Sequence, residues 1–69
     1  MNKTQQLILH TIKNLQPVNG SEIAQGLKLN RDWTDVTIGQ LIKCGYVRRF
    51  REPHGQLALT IRGSEAIGE

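Results

Sequence analysis

The apolar residues of this chain change their spacing at Gly45, and that change divides the sequence into two kinds of structure. Before Gly45 they recur at intervals of three and four residues, which is the period of an amphipathic helix. From Tyr46 onward the period becomes two, as in a strand with one buried face. The 69 residues therefore begin with helices and continue with a hairpin.

Three helices are predicted before Gly45, and cap signals set their limits. Two pairs have the spacing of a capping box: Asn2 with Gln5, and Asn19 with Glu22. Asn30 is a favourable N-cap, Pro17 ends the first helix, and Gly45 follows the third. We expect helices over Lys3 to Leu15, Gly20 to Leu27 and Arg31 to Cys44.

Each predicted helix has one apolar face, and these faces form the expected core. The first helix contributes Ile8, Ile12 and Leu15, and the second contributes Ile23, Ala24 and Leu27. On the third, one face holds Thr34, Ile38, Leu41 and Ile42, with Thr37 at its edge. The opposite face of the third helix is expected to lie in solvent.

The hairpin is predicted from two short alternating runs separated by a turn. Val47 and Phe50 mark one strand, Leu57 and Leu59 the other, and the turn covers Pro53 to Gln56. Thr60 can cap a last short helix whose apolar positions are Ile61, Ala66 and Ile67. The expected fold is mainly α with a small β-hairpin, in the order α-α-α-β-β-α, and residues 1–69 form a single domain.

Composition excludes several classes of protein. Cys44 is the only cysteine, so no disulfide can form within the chain, and a reduced thiol suits the cytoplasm. No apolar run approaches the length of a membrane span. The net charge of +3 is mildly basic, which is compatible with nucleic acid as a partner.

The residue types that carry catalysis are scattered. His10 and His54 fall on different predicted elements without a neighbouring cysteine or carboxylate cluster, so no metal-ligand spacing is present. Cys44 has no evident base, and the glycines do not form a phosphate-binding loop. We therefore predict a protein that is not an enzyme and has no cofactor or metal.

Three segments together resemble a known family. The segments "PVNGSEIAQGLKLNRDWT", "LIKCGYVRR" and "LALTIRG" are similar to the winged helix-turn-helix of MarR-like bacterial transcription regulators. The matching positions are Ile23, Ala24, Leu27, Leu41, Gly45, Tyr46, Val47, Leu59, Thr60 and Gly63. Two features depart from the family pattern: the third helix carries Asp32, Trp33 and Asp35, and the chain has no room for the flanking helices that dimerise and bind effectors.

The resemblance implies sequence-specific binding of double-stranded DNA by a small bacterial, phage or plasmid regulator. The third helix would enter the major groove, where Gln40, Lys43 and Val36 lie nearest the base edges. Arg31 and Thr37 would reach phosphates. Asp35 can pair with Arg31, four residues away, accept a hydrogen bond from a cytosine amine, or repel phosphates and so limit affinity. Gly39 marks either close approach to a partner or packing against a neighbouring element.

The hairpin, called the wing in that family, concentrates positive charge. Arg48, Arg49 and Arg51 would hold the adjacent DNA backbone or minor groove, and His54 at the tip would add a weak contact. Alternation along the strand puts Arg49 and Arg51 on one side and Arg48 and Phe50 on the other, with Phe50 expected in the core. Charge that protects an edge strand from aggregation is the simpler alternative.

Other functions remain open at this stage. A protein-docking winged helix would use Trp33, Val36 and Gly39, whereas an architectural or recombination accessory would bind DNA without regulating transcription. A homodimer is reasonable, because a single module makes few base contacts. The target sequence and any inducing signal are not encoded in these patterns.

Overall fold

The computed structural model describes residues 1–51 and 55–68. Its helices are α1 (Lys3–Leu15), α2 (Gly20–Leu27), α3 (Arg31–Lys43) and α4 (Ile61–Ala66), and its strands are β1 (Val47–Arg49) and β2 (Leu57–Leu59). The two strands pair antiparallel, with Val47 opposite Leu59. The predicted order of elements and the mainly helical fold class are confirmed.

Capping boxes fix where α1 and α2 begin. The Asn2 side chain accepts from the Gln5 backbone N–H at 2.8 Å, and the Gln5 side chain accepts from the Asn2 N–H at 3.0 Å. Asn19 and Glu22 repeat the arrangement at 2.9 and 3.2 Å. Each box satisfies backbone donors that a helix start leaves without a partner, so both helices start where the sequence predicts.

A short turn separates α2 from α3. Lys28 adopts a left-handed conformation with φ of 57°, and the Leu29 N–H bonds back to the Ala24 carbonyl at 2.9 Å. Asn30 then caps α3 by accepting from the Trp33 N–H at 2.9 Å. The C-terminal end of α2 and the N-terminal end of α3 are therefore both capped within three residues, and the two helices pack against each other.

The core is formed by side chains from all of the helices but α4 and from the hairpin. Its fully covered members are Ile8, Leu9, Ile12, Val18, Ile23, Ile38, Leu41, Val47 and Leu57. Around them lie partly buried residues that include Leu27, Leu29, Ile42, Tyr46, Leu59 and Ile67. One apolar cluster thus joins the three long helices to both strands.

Several core assignments from the sequence are wrong. On α1, Leu9 is buried and Leu15 is exposed, because the buried face is centred on Ile8 and Ile12 and does not extend to the last turn. Ile61, expected at an apolar position of α4, is 83% exposed, whereas Ile67 packs against the core. The predicted faces of α2 and α3 were correct, whereas those of α1 and α4 were wrong at one end of the helix.

Val18 adds a third strand segment that the sequence pattern does not predict. Its N–H and C=O both bond to Leu57, at 3.1 and 2.7 Å, so Leu57 is paired on two sides. The Gln16 side chain accepts from the Leu59 N–H at 2.9 Å on the same edge. The hairpin is therefore attached to the segment between α1 and α2 through β2, which leaves β1 on the side of α3.

Candidate nucleic-acid interface

The buried face of α3 determines which residues the helix presents to solvent. Thr34 and Thr37 lie in the interior and donate their hydroxyls to the carbonyls of Asn30 and Trp33, at 2.7 and 3.0 Å. A threonine whose hydroxyl bonds to its own helix can be buried without an unsatisfied polar group. Thr37 is only 4% exposed, so little of its surface is available for the predicted phosphate contact.

The opposite side of α3, which we call the α3 face, is exposed to solvent. It consists of Asp32, Asp35, Val36, Gly39, Gln40 and Lys43. Val36 keeps 60% of its surface accessible even though it is apolar. The face thus offers an amide, an ammonium group and one branched apolar side chain, which are the kinds of group that read base edges in the major groove.

Gly39 lies in the middle of this face, and its position is unusual for a helix. A Cβ built on Gly39 would meet no atom within 4 Å, so the glycine does not pack against another described part of the chain. A glycine inside a helix costs about 1 kcal/mol relative to alanine. Of the two interpretations drawn from the sequence, packing against a neighbouring element is excluded for the described residues.

The first turn of α3 contains an ion pair. Nε of Arg31 donates to both carboxylate oxygens of Asp35, at 3.1 and 3.2 Å, and both side chains remain about half exposed to solvent. The predicted pairing four residues apart is therefore confirmed. A pair this exposed contributes at most about 1 kcal/mol, so Arg31 can leave Asp35 for a phosphate group.

The end of α3 is tied closely to the hairpin. Gly45 has φ of 85°, and the Gly45 and Tyr46 N–H groups bond to the carbonyls of Ile42 and Leu41, at 2.9 and 3.0 Å. These two bonds form a Schellman motif, which ends the helix and reverses the chain. Val47 then begins β1 beside α3.

The start of α4 fixes that junction from the other side. The Thr60 hydroxyl donates to the Gly45 carbonyl at 2.6 Å and accepts from the Gly63 N–H at 2.9 Å. The Thr60 N–H bonds to the Tyr46 carbonyl at 3.1 Å. The segments "GY" and "LTIRG" are therefore parts of one joint, which sets how the hairpin lies relative to α3.

The hairpin arginines occupy both faces of β1. The Arg48 guanidinium lies over the Phe50 ring, 5.0 Å from its centre, and Arg48 is exposed. Arg49 is half-buried, and its guanidinium donates to the Gly55 carbonyl at 3.2 Å across the hairpin. Arg51 is exposed. His54, the fourth predicted contact of the hairpin, lies outside the described residues.

Phe50 is a member of this surface that sequence reasoning assigned incorrectly. It was expected in the core, but it is 51% exposed on the same side as Arg48. Val47 is the residue of β1 that enters the core, and alternation from Val47 puts position 50 on the outer side. The alternation of side chains from Val47 can be read from the sequence and would have placed Phe50 correctly.

Two further features of the surface bear on function. Trp33 keeps 44% of its surface exposed at the edge of the α3 face. A cavity of about 210 Å³ lies beside Gln40 and is also lined by Met1, Gln5, Leu41, Cys44 and Tyr46.

Within residues 1–51 and 55–68 no three histidine, cysteine or acidic residues come together as a metal site. In the same ranges, no helix is both long and apolar enough to cross a bilayer.

Comparison with solved structures identifies the architecture. FabT of Streptococcus pneumoniae, solved in complex with DNA, superimposes with a TM-score of 0.88 at 18% identity, over 97% of this chain and 50% of FabT. The fold is a winged helix-turn-helix. The multiple antibiotic-resistance repressor MarR of Listeria monocytogenes has the same winged fold, with a TM-score of 0.92 at 15% identity, over 97% of this chain and 49% of MarR.

A third winged-helix neighbour, a protein of unknown function from Listeria innocua, gives a TM-score of 0.87 at 21% identity, over 96% of this chain and 48% of the neighbour. No protein-family model matches the sequence, and no curated protein matches it. The chain spans about half the length of the solved structures it matches. In the winged helix-turn-helix, α2 and α3 are the helix-turn-helix and the hairpin is the wing.

Proposed function

We propose that this chain binds double-stranded DNA in a sequence-specific manner and acts as a small transcriptional regulator in the cytoplasm. The observation that carries the proposal is the contact between β1 and α3, which puts the strand that carries Arg48 and Arg49 beside the helix whose solvent side bears Gln40 and Lys43. The neighbour FabT was solved in complex with DNA, which supports DNA as the ligand of this fold here.

In the proposed complex α3 lies in the major groove. Gln40 can form a bidentate pair with adenine, and Lys43 can contact guanine or a phosphate group. Val36 offers an apolar surface to the base edges. These three side chains are exposed, and none forms a hydrogen bond or ion pair within residues 1–51 and 55–68, so they can turn toward a groove without breaking the fold.

The wing would hold the neighbouring backbone or minor groove. Arg48 and Arg51 are exposed and carry permanent positive charge on planar groups that suit phosphate oxygens. Arg49 is also bonded to the Gly55 carbonyl, so it would stiffen the wing as well as contribute charge. Arg31 becomes a phosphate contact when it leaves Asp35.

The proposal is tested by selecting bound duplexes from a random pool and then titrating the selected duplex against the protein. A regulator of this kind enriches a defined sequence, and a palindromic half-site repeat would show that two copies bind together. No enrichment, with no retention of any duplex at about 50 mM salt, would contradict the proposal because phosphate contacts are strongest at low salt.

A second candidate function is protein docking through the α3 face. Exposure of both Trp33 and Val36 favours it, since tryptophan is enriched at binding hot spots. The acidic side chains Asp32 and Asp35 would then face a basic partner. Two results together would support this alternative over DNA binding. The chain would purify in a stoichiometric complex with another protein, which Trp33→Ala abolishes, and it would retain no duplex.

A further inference from the structure

The α3 face has a gap at its centre, and Gly39 is that gap. At 3.6 residues per turn, Asp32, Gly39 and Lys43 lie within about 20° of one line along the helix, and Val36 lies about 60° around the helix from Gly39. The buried residues Thr34 and Leu41 lie on the opposite side of α3. Since a Cβ at position 39 would meet no atom within 4 Å, the gap opens to solvent.

Stability alone does not explain a glycine at this position. An alanine would favour the helix and would fit without displacing a described atom. The φ of Gly39 is not in the left-handed range, so the backbone does not require glycine. What glycine provides here is a path by which another molecule can approach the α3 backbone more closely than any side chain would allow.

The residues around the gap indicate what could enter it. Val36 presents an apolar surface on one side of Gly39, and Gln40 lies about 40° farther round the helix on that side. Asp35, which is paired with Arg31, lies on the other side of Gly39. The only apolar group on the floor of the major groove is the C5-methyl of thymine, and a glutamine amide pairs with adenine. The gap and the apolar side chain of Val36 together fit the methyl edge of a thymine. The amide of Gln40 fits an adenine on the same or the next base pair.

We propose, on the basis of the DNA-binding function above, that Gly39 is a specificity-determining residue at which the α3 backbone contacts the base edges. The C5-methyl of one thymine lies between the Gly39 backbone and the Val36 side chain. Gly39 therefore makes the chain select a thymine at one position of each half-site, and it does so at the expense of helix stability.

A pair of glycine variants tests the close approach. Gly26 on α2 is the matched control, because a Cβ there also meets no atom within 4 Å. We expect Gly39→Ala and Gly26→Ala each to raise the Tm, by up to about 4–8 °C. Only Gly39→Ala should weaken binding to the selected duplex, by about tenfold. A Gly39→Ala variant that binds as tightly as the wild type would overturn the proposal.

Duplexes in which each thymine is replaced in turn by uracil test the methyl contact with the unaltered protein. Uracil lacks only the C5-methyl, so one replacement in each half-site should weaken binding about fourfold. The same replacement should partly restore binding to Gly39→Ala, since the new Cβ fills the space of the lost methyl. Uniform affinity across all uracil duplexes would overturn the methyl contact.

These outcomes separate the two proposals. If the wild type binds no duplex, both the proposed function and the role of Gly39 are contradicted. If the wild type selects and binds a duplex but neither Gly39→Ala nor uracil changes the affinity, only the role of Gly39 is contradicted.

Discussion

Gly63 lies directly against the carbonyl group of Tyr46, so closely that a Cβ on residue 63 would overlap the carbonyl oxygen. The same carbonyl accepts from the Thr60 N–H at 3.1 Å, and the Thr60 hydroxyl donates to the Gly45 carbonyl. The first turn of α4, the end of α3 and the base of the wing thus meet at one point. The geometry of the proposed DNA surface depends on this joint, because it orients the wing relative to α3.

Replacement of Gly63 by alanine should destabilise the fold. The added Cβ must push the Tyr46 backbone away. A backbone segment cannot move aside as easily as the end of a flexible side chain. We expect the free energy of unfolding to fall by at least about 2 kcal/mol, measured by urea denaturation. Gly26→Ala, where the new atom meets nothing within 4 Å, should be as stable as the wild type or more so. Equal stability of Gly63→Ala and the wild type would contradict the close contact.

The Thr60 hydroxyl should matter more than its methyl group. Thr60→Val keeps the shape but removes the bonds to the Gly45 carbonyl and the Gly63 N–H. We expect a loss of about 1–3 kcal/mol in the free energy of unfolding, since the partly buried Gly45 carbonyl loses its donor and α4 loses its cap. Thr60→Ser retains both bonds and should lose less than half as much. If the free energy of unfolding of Thr60→Val is no lower than that of Thr60→Ser, the hydroxyl is not what stabilises the joint.

Lys28 is a position where glycine should stabilise the chain. Its φ of 57° is the left-handed conformation, which is strained for a residue with a Cβ. Lys28→Gly should therefore raise the free energy of unfolding by about 1 kcal/mol and the Tm by about 4–8 °C. Lys43→Gly makes the same change within α3 and should lower stability by a similar amount. Scanning calorimetry of both variants would reveal opposite signs, and a shift in the same direction would contradict this assignment.

Asp35 is expected to limit affinity for DNA by holding Arg31. Asp35→Asn removes the ion pair and one negative charge from the α3 face, so Arg31 becomes available to a phosphate. Affinity at low salt should rise by about threefold to tenfold, and the salt dependence should steepen by about one unit. In an Arg31→Ala background the same substitution should not steepen it. Weaker binding by Asp35→Asn would instead indicate that the carboxylate accepts a hydrogen bond from a cytosine amine.

Much of the fold could be predicted because its signals are local. The Asn2 and Asn19 capping boxes act over three residues, so both helix starts were readable from the sequence. The Val18 pairing with Leu57 joins segments far apart in the chain and involves a single residue, so no periodic pattern announces it. Helical periodicity placed Thr37 at the edge of the buried face, yet its bond to the Trp33 carbonyl allows it to be buried.

The candidate site was predictable on the helix and less so on the wing. Rotation by 100° per residue was enough to place Gln40, Lys43 and Val36 in solvent. Val47 in β1 and Phe50, the residue after β1, could not both face the core, and the apolar character of Phe50 suggested the wrong choice. The hydrogen bond from Arg49 to Gly55 depends on how the hairpin closes, which composition does not reveal.

The salt dependence of duplex binding tests most directly whether α3 and the wing form one DNA-binding surface. If three to five cations meet phosphates, log K should fall with log salt with a slope of roughly −3 to −5. Replacement of Arg48 and Arg51 by alanine should reduce that slope by about two units while the selected sequence stays the same. Arg62, whose cation lies over the Tyr46 ring, is outside the proposed surface, so an Arg62→Ala variant is the control: it removes one positive charge and should retain the slope. A wild type that binds no duplex at about 50 mM salt, or a slope that the two wing substitutions leave unchanged, would contradict the shared surface.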